Sequence, residues 1–113
     1  MKLQSTNNGD ITVISLAGDL NVDSVVKFKD VVYSAFQEQR RDFVLDVKGL
    51  TSIDSAGLEA FTALQQKCDE QLGMVHLCGA DDTLQKVFEL TRLDKQFALY
   101  SSLEEAITSF AGT

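Results

Sequence analysis

Asp54 and Ser55 are the residues of this 113-residue chain whose types and position could carry chemistry. They lie in Leu50-Thr51-Ser52-Ile53-Asp54-Ser55-Ala56-Gly57-Leu58, between an apolar run with strand character and a run with helical spacing. Both are good N-cap types, because a side-chain oxygen at a helix start accepts a first-turn N–H that has no intrahelical partner. Those N–H groups, with the positive end of the helix dipole, also tolerate a phosphate. Ser55 is therefore a candidate phosphoacceptor as well as a candidate cap. Gly57, inside the first turn, costs about 1 kcal/mol relative to Ala. A bare backbone there would let a partner approach the Ser55 hydroxyl. Capping alone accounts for the serine, so local spacing leaves both roles open.

No other residue makes a comparable case. His76 is the only histidine, and local spacing places no Ser, Cys or carboxylate beside it, so a structural or solvent-facing role is expected. Cys68 and Cys78 lack CxxC spacing and read as small buried residues. One His and two Cys supply a four-ligand zinc site poorly, so no metal is expected. Asp81-Asp82 reads as a helix cap, since the acidic pair of a receiver domain would follow the first strand. No Gly-rich phosphate loop and no nucleophile paired with a base is visible. An enzyme is not expected, nor a cofactor.

The elements that must position Ser55 follow from periodicity. Residues 2–5 and Ile11–Leu16, with Asn8-Gly9 between, suggest a hairpin, and Gly18-Asp19 ends its second strand. Asp23 or Ser24 caps a helix with Val25, Phe28, Val32, Ala35 and Phe36 inward. Phe43–Val47 is a central strand. The helix starting near Ser55 turns Phe61, Leu64, Cys68 and Leu72 inward and stops at Gly73. Met74–Cys78 is a strand, followed by a helix bearing Leu84, Val87, Phe88 and Thr91. Phe97–Tyr100 is a short strand, and the capping box Ser102-Leu103-Glu104-Glu105 opens a last amphipathic helix. Alternating strands and helices imply an α/β fold: a mixed four- to five-stranded sheet, an antiparallel N-terminal edge hairpin, and about four helices mainly on one face. The length suits one domain over residues 1–113.

Composition narrows the function. The net charge of −7 repels a nucleic-acid backbone, and Lys27/Lys29 and Arg40/Arg41 are short basic pairs rather than patches. No apolar run could span a bilayer and no signal core follows the N-terminus, so a cytoplasmic location without membrane association is expected.

The run Phe43–Leu58 resembles the signature of the STAS family, the anti-sigma factor antagonists and their relatives. Gly18-Asp19-Leu20 resembles that family's Gly-x-Leu turn. Val87–Asp94, then Phe97, Tyr100 and Ser102–Ala106, resemble its C-terminal third. The resemblance implies a non-catalytic switch. Ser55, directly after the motif Asp54, would be phosphorylated by an anti-sigma factor with serine-kinase activity. The dephospho form would bind that factor and free sigma, and a metal-dependent serine phosphatase would reset it. It also implies a docking surface of Asp54, Ala56, Gly57, Leu58 and the loop bearing Asn21, Asp23 and Ser24. Ala56 stands where some relatives carry a second hydroxyl, Asn21 where many carry Asp, and Glu59 adds a charge one turn into the helix. The alternative is a STAS adaptor for a sensor kinase, a second-messenger enzyme or a transporter complex, the last requiring association in trans.

Overall fold

The computed structural model describes residues 1–111. β1 (Lys2–Asn8) and β2 (Ile11–Leu20) form the expected antiparallel hairpin. Asn8 pairs with Ile11, so the two loop residues are Gly9 and Asp10, one position later than the Asn-Gly signal suggests. Gly9 supplies the positive φ, +60°, that the tight connection needs. The chain continues through α1 (Val25–Gln37), β3 (Asp42–Ile53), α2 (Ser55–Glu70), β4 (Val75–Cys78) and α3 (Asp82–Leu90). A 3₁₀ turn (Leu93–Lys95), β5 (Ala98–Tyr100) and α4 (Leu103–Ala111) complete it. Strand order is β1-β2-β3-β4-β5, and every pair after the first is parallel.

Two strands run longer than periodicity indicates. β2 passes through Gly18 and Asp19 to Leu20, and β3 passes the apolar Phe43–Val47 to Ile53. The extension is possible because the β2–β3 ladder shifts register between Ser15 and Ala17 and again between Gly18 and Asp19. Such irregularities break the alternation that marks a strand. Gly18, at φ +102°, sits in the second shift. Gly18-Asp19-Leu20 is therefore the bulged end of a strand, not a turn.

α1, α2 and α3 cover one face of the sheet over a core containing Phe28, Phe43, Leu45, Phe61, Leu64, Leu77 and Phe88. The Phe28 and Phe61 rings meet at 5.4 Å and join α1 to α2. Each such buried side chain contributes about 1.5–3 kcal/mol. α4 alone covers the other face, over Val13, Val44 and Cys78. His76 is buried there and lies 2.7 Å from Ser109 Oγ, with its ring stacked 4.2 Å from Phe110. Burial depresses the imidazole pKa against the opposing hydrogen bond at Ala106 and the Asp42 charge. The sequence places no serine near His76 because Ser109 arrives from 33 positions away. Ser109 Oγ also lies 2.6 Å from Ala106 O, so the pair pins α4 onto β4. Cys68 and Cys78 are free, buried in cores on opposite faces, and burial pushes both thiols up to about 12.

Two helix ends depart from expectation. α2 turns at Leu72, which takes φ +62°, and Gly73 does not supply the left-handed residue. Gly73 serves close approach instead: a Cβ there would lie 2.0 Å from the Arg41 carbonyl oxygen. At α4 the capping box is half-formed. Ser102 Oγ accepts the Glu105 N–H, while the Glu105 carboxylate turns to the Ser101 hydroxyl.

Candidate functional site

β2 and β3 finish together, Leu20 opposite Ile53, so the segments that follow them must meet. Asp54 lies in extended backbone and its N–H donates to Leu20 O at 3.1 Å. Its Oδ1 accepts the Gly57 N–H at 3.1 Å and caps α2. Its Oδ2 accepts the Val22 N–H at 3.2 Å. One carboxylate thus caps the helix and tethers the loop before α1. Of the two possible caps it is Asp54, not Ser55, that acts.

Ser55 is the first residue of α2 and is exposed. Its hydroxyl has no hydrogen-bond partner among the described residues. The serine is therefore accessible and structurally unneeded. Ala56 and Leu58 are half-buried, and Glu59 is exposed one turn on. Gly57 is buried: a Cβ would lie 2.7 Å from Ile53 Cγ1 and 3.0 Å from Leu20 Cδ2. The bare backbone expected beside Ser55 faces inward, and the glycine lets α2 sit down on the ends of β2 and β3.

The loop is folded by its own side chains. Asn21 Oδ1 accepts the N–H groups of Asp23 and Ser24, both at 3.0 Å. Ser24 occupies the N-cap position of α1 but makes no side-chain cap. Its hydroxyl accepts the Asn21 N–H at 2.9 Å and donates to Asp19 O at 2.7 Å. Neither Ser24 nor the exposed Asp23 caps α1 by its side chain; Ser24 folds the loop instead. Asn21 does with an amide oxygen what an aspartate could do with a carboxylate, so its substitution leaves the loop geometry possible.

Sequence reasoning missed three features here. Asp19 Oδ1 accepts hydroxyls from Ser52 at 2.7 Å and Thr51 at 2.8 Å, and those bonds, Ser52 foremost, hold its carboxyl below the usual range against slight desolvation. They tie β2 to β3 across the bulges that hid both strand ends. Val22, 66% exposed, and Val26, 56% exposed, put apolar surface on the loop and the first turn of α1. An open groove of about 360 Å³ extends from Ser55 and Leu58 past Glu59 to Thr91, Leu93 and Gln96 at the end of α3. Only the exposed valines left a signal, standing outside the apolar stripe of α1.

A STAS domain family model matches residues 2–106. The chain belongs to the STAS domain family. It is 22% identical over 93 residues to the anti-sigma-B factor antagonist of Staphylococcus aureus, covering 82% of this chain and 86% of that protein. It is 23% identical over 106 residues to the anti-sigma-F factor antagonist RsfB of Mycobacterium tuberculosis, covering 94% and 85%. Solved structures of the Bacillus anti-sigma factor antagonist SpoIIAA, unphosphorylated and phosphorylated, superpose with TM-scores of 0.79 and 0.78 at 22% identity. The unphosphorylated form aligns over 99% of this chain and 100% of that one, and the phosphorylated form over 96% and 99%. This chain thus shares its fold with those two solved structures. No helix among the described residues is long and apolar enough to cross a membrane.

Proposed function

We propose that this STAS domain is an anti-sigma factor antagonist whose binding state is set by phosphorylation of Ser55. The observation that carries the reading is the exposed, unbonded Ser55 hydroxyl at the start of α2, beside a loop that Asp54 holds in place. In the dephospho form Ser55, Asp54, Leu58 and the loop Asn21–Ser24 dock an anti-sigma factor with serine-kinase activity, in the cytoplasm, and sigma is freed. Ala56 and Gly57 contribute by seating α2 rather than by reaching the partner. A serine phosphatase restores the binding form.

Phosphate adds about −1.5 to −2 charges at pH 7 to a site that already carries Asp54 and Glu59. Burying that charge in an interface shaped for a hydroxyl costs several kcal/mol, whereas about 2.8 kcal/mol already weakens binding a hundredfold. No large conformational change is needed. Because Ser55 is not the cap, Ser55→Ala changes stability by less than about 0.5 kcal/mol. Immobilised Ser55→Ala protein is expected to capture a small kinase-like ATPase from the native host, and Ser55→Asp to lose it by about a hundredfold. Equal capture by the two variants would sink the electrostatic switch; capture of a sensor, cyclase or transporter subunit would move the function to the adaptor reading.

A further inference from the structure

At the opposite end of β3 from Ser55, the C-terminal ends of α1 and α2 enclose a cleft of about 610 Å³. Tyr33, Phe36, Arg40, Arg41, Lys67 and three glutamines line it. A chain with 17 acidic and 10 basic residues thus places three of its cations, and no carboxylate, around one recess. Asp10, Glu38 and Asp42 gather in the adjoining recess that shares Arg40 and Arg41.

The cations are not used up by the fold. Arg40 is anchored, donating from Nε to Thr12 Oγ1 and from a terminal nitrogen to Gly9 O at 2.8 Å. That leaves three of its five N–H donors. Arg41 makes no side-chain bond or ion pair among the described residues, and Lys67 only spans 6.0 Å to the Phe36 ring. Cations at helix C-termini are often explained by the carbonyls exposed there. Here backbone N–H groups among the described residues already serve several of those carbonyls, though not Gln37 O or Glu70 O: Glu38, Gln39 and Arg40 donate to Ala35 O or Phe36 O, and Gln71, Leu72 and Gly73 to Cys68 O or Asp69 O. The wall beside the cations is aromatic, with Phe36 half-buried and Tyr33 66% exposed.

We propose that this cleft binds a small phosphorylated organic molecule, its phosphate taken by Arg41 and Lys67 beside the anchored Arg40 and its uncharged body resting on Tyr33 and Phe36. Guanidinium and ammonium groups without carboxylate partners are the natural donors to a dianion, and one pre-anchored guanidinium loses little freedom on binding. The volume exceeds what a bare phosphate fills, and the aromatic wall suits a ligand with an apolar part.

The test titrates inorganic phosphate and phenyl phosphate separately into the ¹⁵N-labelled full chain. Saturable shifts at Tyr33, Phe36, Arg41, Lys67 and Gln71 are expected, with phenyl phosphate binding about fivefold or more tighter than phosphate. The double variant Arg41→Glu/Lys67→Glu should weaken phenyl phosphate binding by at least about tenfold. The matched double variant Lys27→Glu/Lys29→Glu, on exposed positions of α1, should leave it unchanged. Tyr33→Ala should erase the preference for phenyl phosphate. Absence of saturation, shifts spread over the other lysines and arginines, equal loss in both charge-reversal variants, or equal affinity for the two ligands would each overturn the proposal. The wild-type shift map decides the matter even should a variant fold poorly.

Discussion

The two ends of β3 are built by opposite means. Its C-terminal end runs straight into Asp54 and Ser55, so the candidate switch is a contiguous stretch of chain fastened to one distant loop by one carboxylate. Its N-terminal end follows Arg40 and Arg41, whose cleft exists only because the last turn of α2 brings Lys67 alongside. The first end is acidic and exposes an unbonded hydroxyl; the second sets three cations around one recess and three carboxylates around the next. A contiguous site announces itself in sequence, whereas an assembled one does not. Arg40-Arg41 reads as an isolated basic pair until Lys67 is seen beside it.

The assembled end should break most easily at Gly73. Its α-hydrogen lies where a Cβ would meet the Arg41 carbonyl at 2.0 Å, and backbone must move to admit a methyl group. Gly73→Ala is expected to cost about 3 kcal/mol, lowering Tm by about 10 °C. An unchanged melting curve would show that the approach of the α2 turn to Arg41 is not tight.

The contiguous end should yield to Asp54→Ala, at about 1.5 kcal/mol, from loss of the α2 cap together with the bond to Val22. Asp54→Ser should recover the cap part while leaving the Val22 N–H without its carboxylate partner. Hydrogen exchange at Val22 reads the difference. Equal exchange in the two variants and wild type would mean that the loop holds itself through Asn21 and Ser24 alone.

The smallest effect sharpens the comparison. Leu72 is 86% exposed at φ +62°, a conformation that costs a residue with a Cβ about 1 kcal/mol or more. Leu72→Gly should therefore stabilise the chain by about 1 kcal/mol in urea unfolding, without a change in m-value. Destabilisation instead would mean that Leu72 is held by contacts rather than tolerated in strain.

Much of this fold is legible from residues close in sequence. Apolar residues at helical spacing locate α1 through α4, and an Asp–Ser pair before such a run marks the start of α2. These features depend on hydrogen bonds and side-chain neighbours within about four positions, so the local sequence suffices. Strand ends were less legible: the β2–β3 bulges break alternation, and only the partner strand shows that Gly18, Asp19 and Leu20 still pair with Leu50, Ser52 and Ile53.

The sequence by itself determined that a serine stands at a helix start in an acidic α/β domain, because type, spacing and charge are written in it directly. Only the tertiary structure decided that Asp54 rather than Ser55 caps α2, that Gly57 is small for the sake of Leu20 and Ile53, and that Lys67 joins Arg40 and Arg41. The reason is geometric. Capping needs one oxygen aimed at one N–H, a missing Cβ matters only where another segment presses close, and a charge cluster needs its members folded to one place. Each depends on strand register and helix seating, which the whole core sets together.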